Sequence, residues 1–189
     1  MIEAELKARV ADPDALHAVL EAAAGTPERA TYQDAYYDRD GVLTAEGREL
    51  RVRTVTTEDG ARTVLTYKGP VLDEATGSKA EAETRIEDPA AIAAILEGLG
   101  YAPFIAFTKQ CANHRISTPA GRKVLATVVR VPELGGTFLE VETMVEDEAE
   151  MAAALDDLRA LLLDLEIEPG ELTTELYTEA VAAARAHVD

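Results

Sequence analysis

Hydrophobic and polar residues alternate with a period of two along most of the first 145 residues. This is the period of a β-strand, in which successive side chains point to opposite faces. Turn residues such as the Asp59-Gly60 pair separate the alternating segments and are typical of hairpins. The pattern predicts eight strands, at residues 2–10, 32–38, 50–57, 62–68, 79–87, 104–117, 122–131 and 137–145.

Four helices are predicted between or after these strands, and capping residues mark where two of them begin. Asp12-Pro13 and Asp88-Pro89 each place an aspartate N-cap before a proline in the first turn. The predicted helices are 14–24, 90–99, 147–165 and 174–187. We therefore predict one α+β domain over residues 1–189, with the strands in about 1–145 and the C-terminal helices, about 146–189, packed on them.

One face of the predicted strands carries charged side chains in strand after strand. An ordinary half-buried sheet exposes a mixture of polar residues, whereas this face carries mainly charge, and of both signs. The charged positions are Glu3, Glu5, Lys7, Arg51, Arg53, Lys68, Lys79, Glu81, Glu83, Arg85, Glu140 and Glu142. We therefore predict a closed eight-stranded antiparallel β-barrel, a tunnel whose charged face points inward and whose apolar face is covered by the helices. Buried charges on this scale must pair with one another or with a ligand.

The predicted interior combines carboxylate ligands for a metal with cations for a polyanion. Carboxylate oxygens suit Mg²⁺ or Mn²⁺, and ammonium and guanidinium groups neutralise phosphate. The expected metal ligands are Glu3, Glu5, Glu140 and Glu142, and Glu81 and Glu83 either join them or pair with Lys79 and Arg85. The expected phosphate-binding residues are Lys7, Arg51, Arg53, Lys68, Lys79, Arg85 and Lys109. Among these sets, Lys7 and Glu5 are the predicted catalytic residues.

Net charge and cysteine content limit the binding partners and the cellular compartment that we expect for the chain. The chain has 36 acidic and 18 basic residues, a formal charge of −18, which argues against a general affinity for nucleic acid or an anionic membrane. A small anionic ligand must therefore be bound by local charge. A single cysteine excludes an internal disulfide, and no apolar run approaches the roughly 20 residues that span a bilayer. We expect a soluble cytoplasmic protein, and the apolar face of the C-terminal helices could serve a homodimer.

Six motifs, in order along the chain, resemble the CYTH domain of the triphosphate tunnel metalloenzymes. They are Glu3-x-Glu5-x-Lys7, Asp34-x-Tyr36-Tyr37-Asp38, Leu50-Arg51-Val52-Arg53, Leu65-Thr66-Tyr67-Lys68-Gly69-Pro70, Lys79-x-Glu81-x-Glu83 and Phe138-x-Glu140-x-Glu142. The resemblance extends from residue 2 to about 145 and is greatest with the class IV adenylate cyclase branch. It implies an eight-stranded tunnel, Mg²⁺ or Mn²⁺, and a triphosphate substrate. Members include adenylate cyclases, thiamine triphosphatases and inorganic triphosphatases.

Two positions depart from the family pattern. Cys111 stands where the family usually has an arginine two residues after the lysine, and Val129 lies where an aspartate is usual. Arg115 or Arg122 could replace the missing cation only if its strand turned it inward. Three hypotheses remain open: an enzyme that converts ATP to cyclic AMP and pyrophosphate or hydrolyses a triphosphate, a module that binds a triphosphate or polyphosphate without turnover, and a structural protein whose charges are solvated.

Overall fold

Eight antiparallel strands close into a barrel in the computed structural model, which describes residues 1–73, 75–118 and 120–187. The strands are β1 (Ile2–Val10), β2 (Glu28–Asp38), β3 (Glu49–Thr57), β4 (Gly60–Asp73), β5 (Ser78–Ile86), β6 (Ala102–Ser117), β7 (Lys123–Arg130) and β8 (Thr137–Val145). Their order around the barrel is β1-β5-β4-β3-β2-β6-β7-β8, and β1 closes the ring by pairing with both β5 and β8. The predicted barrel is confirmed.

Five α-helices of the described residues lie outside the strands, and aspartate N-caps mark the start of three of them. They are α1 (Pro13–Ala24), α2 (Val42–Ala45), α3 (Pro89–Gly98), α4 (Glu148–Asp164) and α5 (Tyr177–Ala186). The Asp12 and Asp88 side chains accept hydrogen bonds from backbone amides in the first turns of α1 and α3. The single turn α2 was not predicted, since four residues are too short to show a helical period. No helix in the described ranges has the length and hydropathy needed to cross a membrane.

The last helix begins later than predicted. The last helix was expected from Thr174, but residues 172–176 are not helical, and Leu172 forms a β-bridge with Ala8 of β1. The helix α5 therefore begins at Tyr177. Residues 188 and 189, the end of the predicted C-terminal region, lie outside the described residues.

Strand β4 continues beyond the predicted end at Lys68. It runs through Gly69-Pro70 to Asp73, and its pairing with β5 shifts register between Lys68 and Val71. Proline has no amide hydrogen to donate to a ladder, which accounts for an irregularity at this point.

The main hydrophobic core lies on the outer face of the barrel. Alternate residues of β1, β6, β7 and β8 pack there against α1 and α4. Examples are Leu6 and Leu139 from the strands, Leu20 from α1 and Leu158 from α4, all buried. Because side chains alternate along a strand, this outward apolar face turns the charged positions of the same strands into the barrel. The predicted arrangement, apolar outside and charged inside, is confirmed on this side of the barrel.

Candidate functional site

A cavity of about 820 Å³ occupies the barrel interior. Seven of the eight strands contribute to its lining, together with α2, the segment 173–176 and the first turns of α5. The predicted site residues that line it are Glu3, Glu5, Lys7, Arg51, Arg53, Lys68, Lys79, Glu81, Glu83, Lys109, Glu140 and Glu142. The barrel thus brings together all of the predicted site residues except Arg85.

Arg85 and the two candidate substitute arginines lie elsewhere. Arg85 is exposed near the end of β5 and borders a separate depression beside Arg62. Arg115 has a side chain that is 76% exposed. The Arg122 Nε donates to Asp157 of α4 at 2.7 Å. Neither Arg115 nor Arg122 therefore supplies the missing cation.

Glu3, Glu5 and Glu142 form a crowded group of carboxylates where β1 meets β8. Glu5 lies directly opposite Glu142 in the strand register, and Glu3 follows on the same face of β1. Burial raises the pKa of Glu142 well above its usual range, and the charges of Glu3 and Glu5 raise it further. Burial likewise raises the pKa of Glu5, against the lowering effect of Lys68. Such a group binds protons readily because it holds more negative charge than its surroundings offset.

Lys68 is the cation nearest to this group. Its ammonium forms an ion pair with Glu3 and lies 3.4 Å from Glu81 and 3.9 Å from Glu5. Glu142 makes no ion pair within the described ranges. Nowhere in the described part of the chain do three carboxylates, histidines or cysteines already stand close enough to hold a metal ion. The crowded, incompletely neutralised carboxylates nevertheless fit a hard divalent cation chemically, and its binding would require Lys68 to give up its contacts.

Lys7 and Lys109 both contact one aromatic ring, Tyr177 of α5. The ring centroid is 4.6 Å from Lys7 Nζ and 4.1 Å from Lys109 Nζ, so each ammonium makes a cation–π contact. Lys109 also lies 3.2 Å from Glu140. Although burial acts in the opposite direction, Lys109 and Lys7 lower the pKa of Glu140 to about 2. Burial lowers the pKa of Lys7, whose ammonium donates to the backbone carbonyl of Glu175.

Tyr177 lines the cavity but was absent from the sequence-based site. The bridge between Leu172 and Ala8 brings the C-terminal segment alongside β1, and an amide of Thr173 donates to the carbonyl of Lys7 at 2.8 Å. These backbone contacts join residues more than 160 positions apart. The period of α5 alone could not reveal which strand the segment would meet, so no sequence signal placed Tyr177 in the interior.

The two arginines of β3 have different surroundings. Arg53 forms a bidentate ion pair with the fully buried Asp34 at 2.6 and 2.7 Å, and this pairing holds the pKa of Asp34 at about 2 against the effect of burial. Arg51 makes no ion pair within the described residues; its Nη2 donates to Thr66 Oγ1 at 3.3 Å, and its Nε is buried without a partner there. Arg51 is therefore better placed than Arg53 to bind an anion.

The remaining part of the interior is apolar, and it contains both departures from the family pattern. Cys111 of β6 and Val129 of β7 are opposite each other in the strand register, and Val129 in turn faces Phe138 of β8. All three are buried in one cluster. Burial raises the pKa of Cys111 to about 12, so it remains a neutral thiol. The two positions that depart from the predicted family pattern therefore lie together in one apolar part of the interior.

Comparisons with known proteins agree with this geometry. A curated relative, Putative adenylate cyclase MJ0240 of Methanocaldococcus jannaschii, is 29% identical over 185 residues, which are 95% of this chain and 98% of the relative. The solved structure of the PH1819 protein from Pyrococcus horikoshii matches with a TM-score of 0.84 and 25% identity, covering 96% of this chain and 98% of that chain.

A more distant solved structure has the same fold. It is the putative adenylyl cyclase HpAC1 from Hippeastrum, which is described as having a dominant triphosphatase activity. It matches with a TM-score of 0.63 and 19% identity, covering 99% of this chain and 96% of that chain. The model of the CYTH domain family matches residues 1–177, nearly the whole sequence. The chain therefore belongs to the CYTH domain family.

Proposed function

We propose that this protein is a metal-dependent enzyme that binds a triphosphate in the barrel cavity and cleaves one of its P–O bonds. The observation that carries the proposal is that one cavity is lined both by the incompletely neutralised carboxylates Glu3, Glu5 and Glu142 and by cations such as Arg51 and Lys79. Burial of these charges without partners would cost several kcal/mol each. A bound divalent cation would neutralise the carboxylates, and a bound polyanion would neutralise the lysines and arginines.

The cations divide into those that could bind phosphate directly and those held by carboxylates. Arg51 and Lys7 make no ion pair within the described ranges, and we assign phosphate contacts to them first. Lys79 and Lys109 line the same cavity but pair with Glu49 at 2.5 Å and with Glu140 at 3.2 Å. We expect these two to bind phosphate with adjustment of their partners. Arg53 and Lys68 are more strongly held, and Arg85 lies outside the cavity and is left out of the set.

The metal would be held by Glu3, Glu5 and Glu142, with Glu140 nearby. When bound, Mg²⁺ or Mn²⁺ would offset negative charge on the phosphoryl oxygens in the transition state. Glu81 lies 3.4 Å from Lys68, and Glu83 accepts a hydrogen bond from Thr66 at 2.9 Å. These contacts favour a structural role for Glu81 and Glu83.

Two reactions are compatible with this arrangement. If the 3′-hydroxyl of ATP attacks the α-phosphorus, a new O–P bond forms, the bond to the β-phosphate breaks, and cyclic AMP and pyrophosphate leave. If water attacks the terminal phosphorus, the products are orthophosphate and a diphosphate. In either case we assign the proton of the nucleophile to Glu5, whose carboxylate lines the cavity opposite Glu142. Lys7, on the same face of β1, would offset charge on the phosphoryl group.

The test is phosphorus NMR with ATP, tripolyphosphate and thiamine triphosphate, each with Mg²⁺ or Mn²⁺. Cyclic AMP with pyrophosphate identifies a cyclase, and orthophosphate with a diphosphate identifies a hydrolase. We expect Glu142→Gln to abolish most turnover and the exposed Glu97→Gln to leave it unchanged. Failure of the unaltered protein to turn over any of the three substrates with either metal would overturn the enzymatic proposal.

A second candidate is a module that binds a triphosphate or polyphosphate without cleaving it. The apolar pair Cys111 and Val129 favours this candidate, because it removes one cation and one carboxylate from the interior. Calorimetry would support it if tripolyphosphate bound tightly while phosphorus NMR detected no product under the same conditions.

A further inference from the structure

Three aromatic side chains, Tyr36, Phe104 and Tyr177, line the cavity. Tyr36 stacks on Phe107 with ring centroids 5.8 Å apart, and Phe107 contacts Tyr177 at 6.4 Å. Tyr36 also makes an edge contact with Phe104, at 6.5 Å. Tyr36, Phe107 and Tyr177 are buried, whereas Phe104 is 53% exposed. The row therefore ends in one ring that is fixed on its inner side and open to solvent on its outer side.

Both Tyr36 and Tyr177 lie beside charged residues of the cavity. Tyr36 is directly opposite Arg51 in the register of β2 and β3. At the other end of the row, Tyr177 contacts the ammonium groups of Lys7 and Lys109. The residue before Tyr177, Leu176, also lines the cavity and is 44% exposed. Phe104, which contacts Tyr36, and Leu176, which precedes Tyr177, are therefore exposed apolar side chains in the lining of the cavity that holds the cations.

We propose that Phe104 and Leu176 form the subsite for a planar aromatic group joined to the triphosphate. This inference rests on the proposed function, since the triphosphate in the charged part fixes where the attached group must lie. Inorganic tripolyphosphate has no part that would contact these side chains. A flat uncharged ring, such as a nucleobase, can stack on Phe104 in several orientations, because stacking requires only the face of an aromatic ring.

Rigidity supports the assignment. The buried contacts of Tyr36 hold the Phe104 ring on the cavity side, so little side-chain freedom is lost when a ligand stacks on it. Met1, Val71 and Met144 also line the cavity with exposed apolar side chains, but they have no ring to stack on a base. Leu99, at 61% exposure, does not line the cavity. Leu99 therefore provides a matched control of similar exposure.

The experiment compares Phe104→Ala and Leu99→Ala with the unaltered protein in calorimetric titrations with ATP and with tripolyphosphate, in EDTA to prevent turnover. We expect Phe104→Ala to weaken ATP binding about tenfold, the usual effect of losing one base–aromatic stack, and to leave tripolyphosphate binding unchanged. Phe104→Tyr, which keeps the ring, should retain ATP affinity, and Leu99→Ala should alter neither titration.

Three results would overturn the inference alone: equal losses for ATP and tripolyphosphate in Phe104→Ala, no loss for ATP, or an unaltered protein that binds ATP no more tightly than tripolyphosphate. If the unaltered protein binds neither ligand, in EDTA or with Mg²⁺ or Mn²⁺ added, the proposed function itself fails. The two failures are therefore distinguishable.

Discussion

The charged cavity and the apolar cluster around Cys111 occupy the same barrel interior and share strands. On β6, Lys109 belongs to the charged region, and Cys111, two residues later on the same face, belongs to the apolar one. On β8, Glu140 and Phe138 differ in the same way. Strand alternation therefore decides which side chains point inward, but not the chemistry of the space they enter. The apolar region is filled by its own side chains, whereas the charged region surrounds an open cavity.

The two regions also differ in what holds them together. The apolar cluster is stabilised by the burial of apolar surface, which contributes roughly 25 cal/mol per Å². In the charged region it depends on specific ion pairs, and removal of one partner leaves the other buried without compensation. Substitutions that exchange these two kinds of contact test the comparison directly.

The largest expected effect on stability is that of breaking the pair of Asp34 and Arg53. Asp34→Asn removes the anion that accepts two hydrogen bonds from Arg53, so the guanidinium is left buried and unpaired. We expect a loss of about 3–5 kcal/mol in the free energy of unfolding, measured with urea. Asp156→Asn, which breaks a solvent-exposed pair with Arg159, should cost under about 1 kcal/mol. Similar losses for the two variants would contradict the distinction between the buried pair and a surface pair.

The next effect is on turnover rather than stability. Arg51→Ala removes a buried guanidinium that makes no ion pair within the described residues, so little structural support is lost. If Arg51 binds the triphosphate, we expect turnover to fall about 10²- to 10³-fold, as when one preorganised donor to a transition state is removed. Phosphorus NMR measures the rate, and the exposed Arg115→Ala is the control. Unchanged turnover in Arg51→Ala would remove Arg51 from the phosphate-binding set.

A double-mutant cycle at Cys111 and Val129 tests whether the apolar region can be converted into a charged one. Cys111→Arg or Val129→Asp alone buries a charge in an apolar cluster and should destabilise the protein by several kcal/mol. Because the two residues are opposite each other across β6 and β7, the double variant should lose about 0.5–3 kcal/mol less than the sum of the single losses. The measurement is urea unfolding of all four proteins. Additive losses would show that the two positions cannot form a pair in this barrel.

Most of the fold could be predicted from the sequence because alternation and capping are local signals. Asp12-Pro13 and Asp88-Pro89 mark helix starts within a few residues, and the charged positions of β1 repeat every second residue. The inward direction of Glu5 or Arg51 followed from the same period once a closed barrel was inferred.

Other features of the site depend on contacts between distant parts of the chain. Arg85 follows the alternation of β5 but lies near the end of the strand, outside the cavity. Its position along the barrel depends on the register between β4 and β5, which the sequence pattern does not give. Tyr177 reaches the interior through the contacts of residues 172–175 with β1. The short helix α2, which lines the cavity, is held by Asp38. The Asp38 carboxylate accepts hydrogen bonds from the backbone amides of Leu43 and Thr44. No periodic pattern encodes these contacts.

The smallest predicted effect concerns His114, an ionisable group buried on the outer face of the barrel near α1. Unlike the paired charges of the cavity, neither of its ring nitrogens has a hydrogen-bond partner among the described residues. Burial lowers the pKa of His114, and the neighbouring His17 lowers it further. The unfolded chain therefore takes up a proton first, so the stability contributed by neutral His114 is complete above about pH 6.5 and is lost as the pH falls below it.

We expect acidification from pH 7.5 to 5.5 to reduce the free energy of unfolding through this group, because the unfolded chain binds the proton more readily than the folded protein. Urea unfolding of the unaltered protein and of His114→Leu at both pH values isolates the effect, because the carboxylates of the cavity titrate equally in both proteins. The exposed His187→Ala should behave like the unaltered protein. If His114→Leu shows the same pH dependence as the unaltered protein, His114 does not contribute to the pH response.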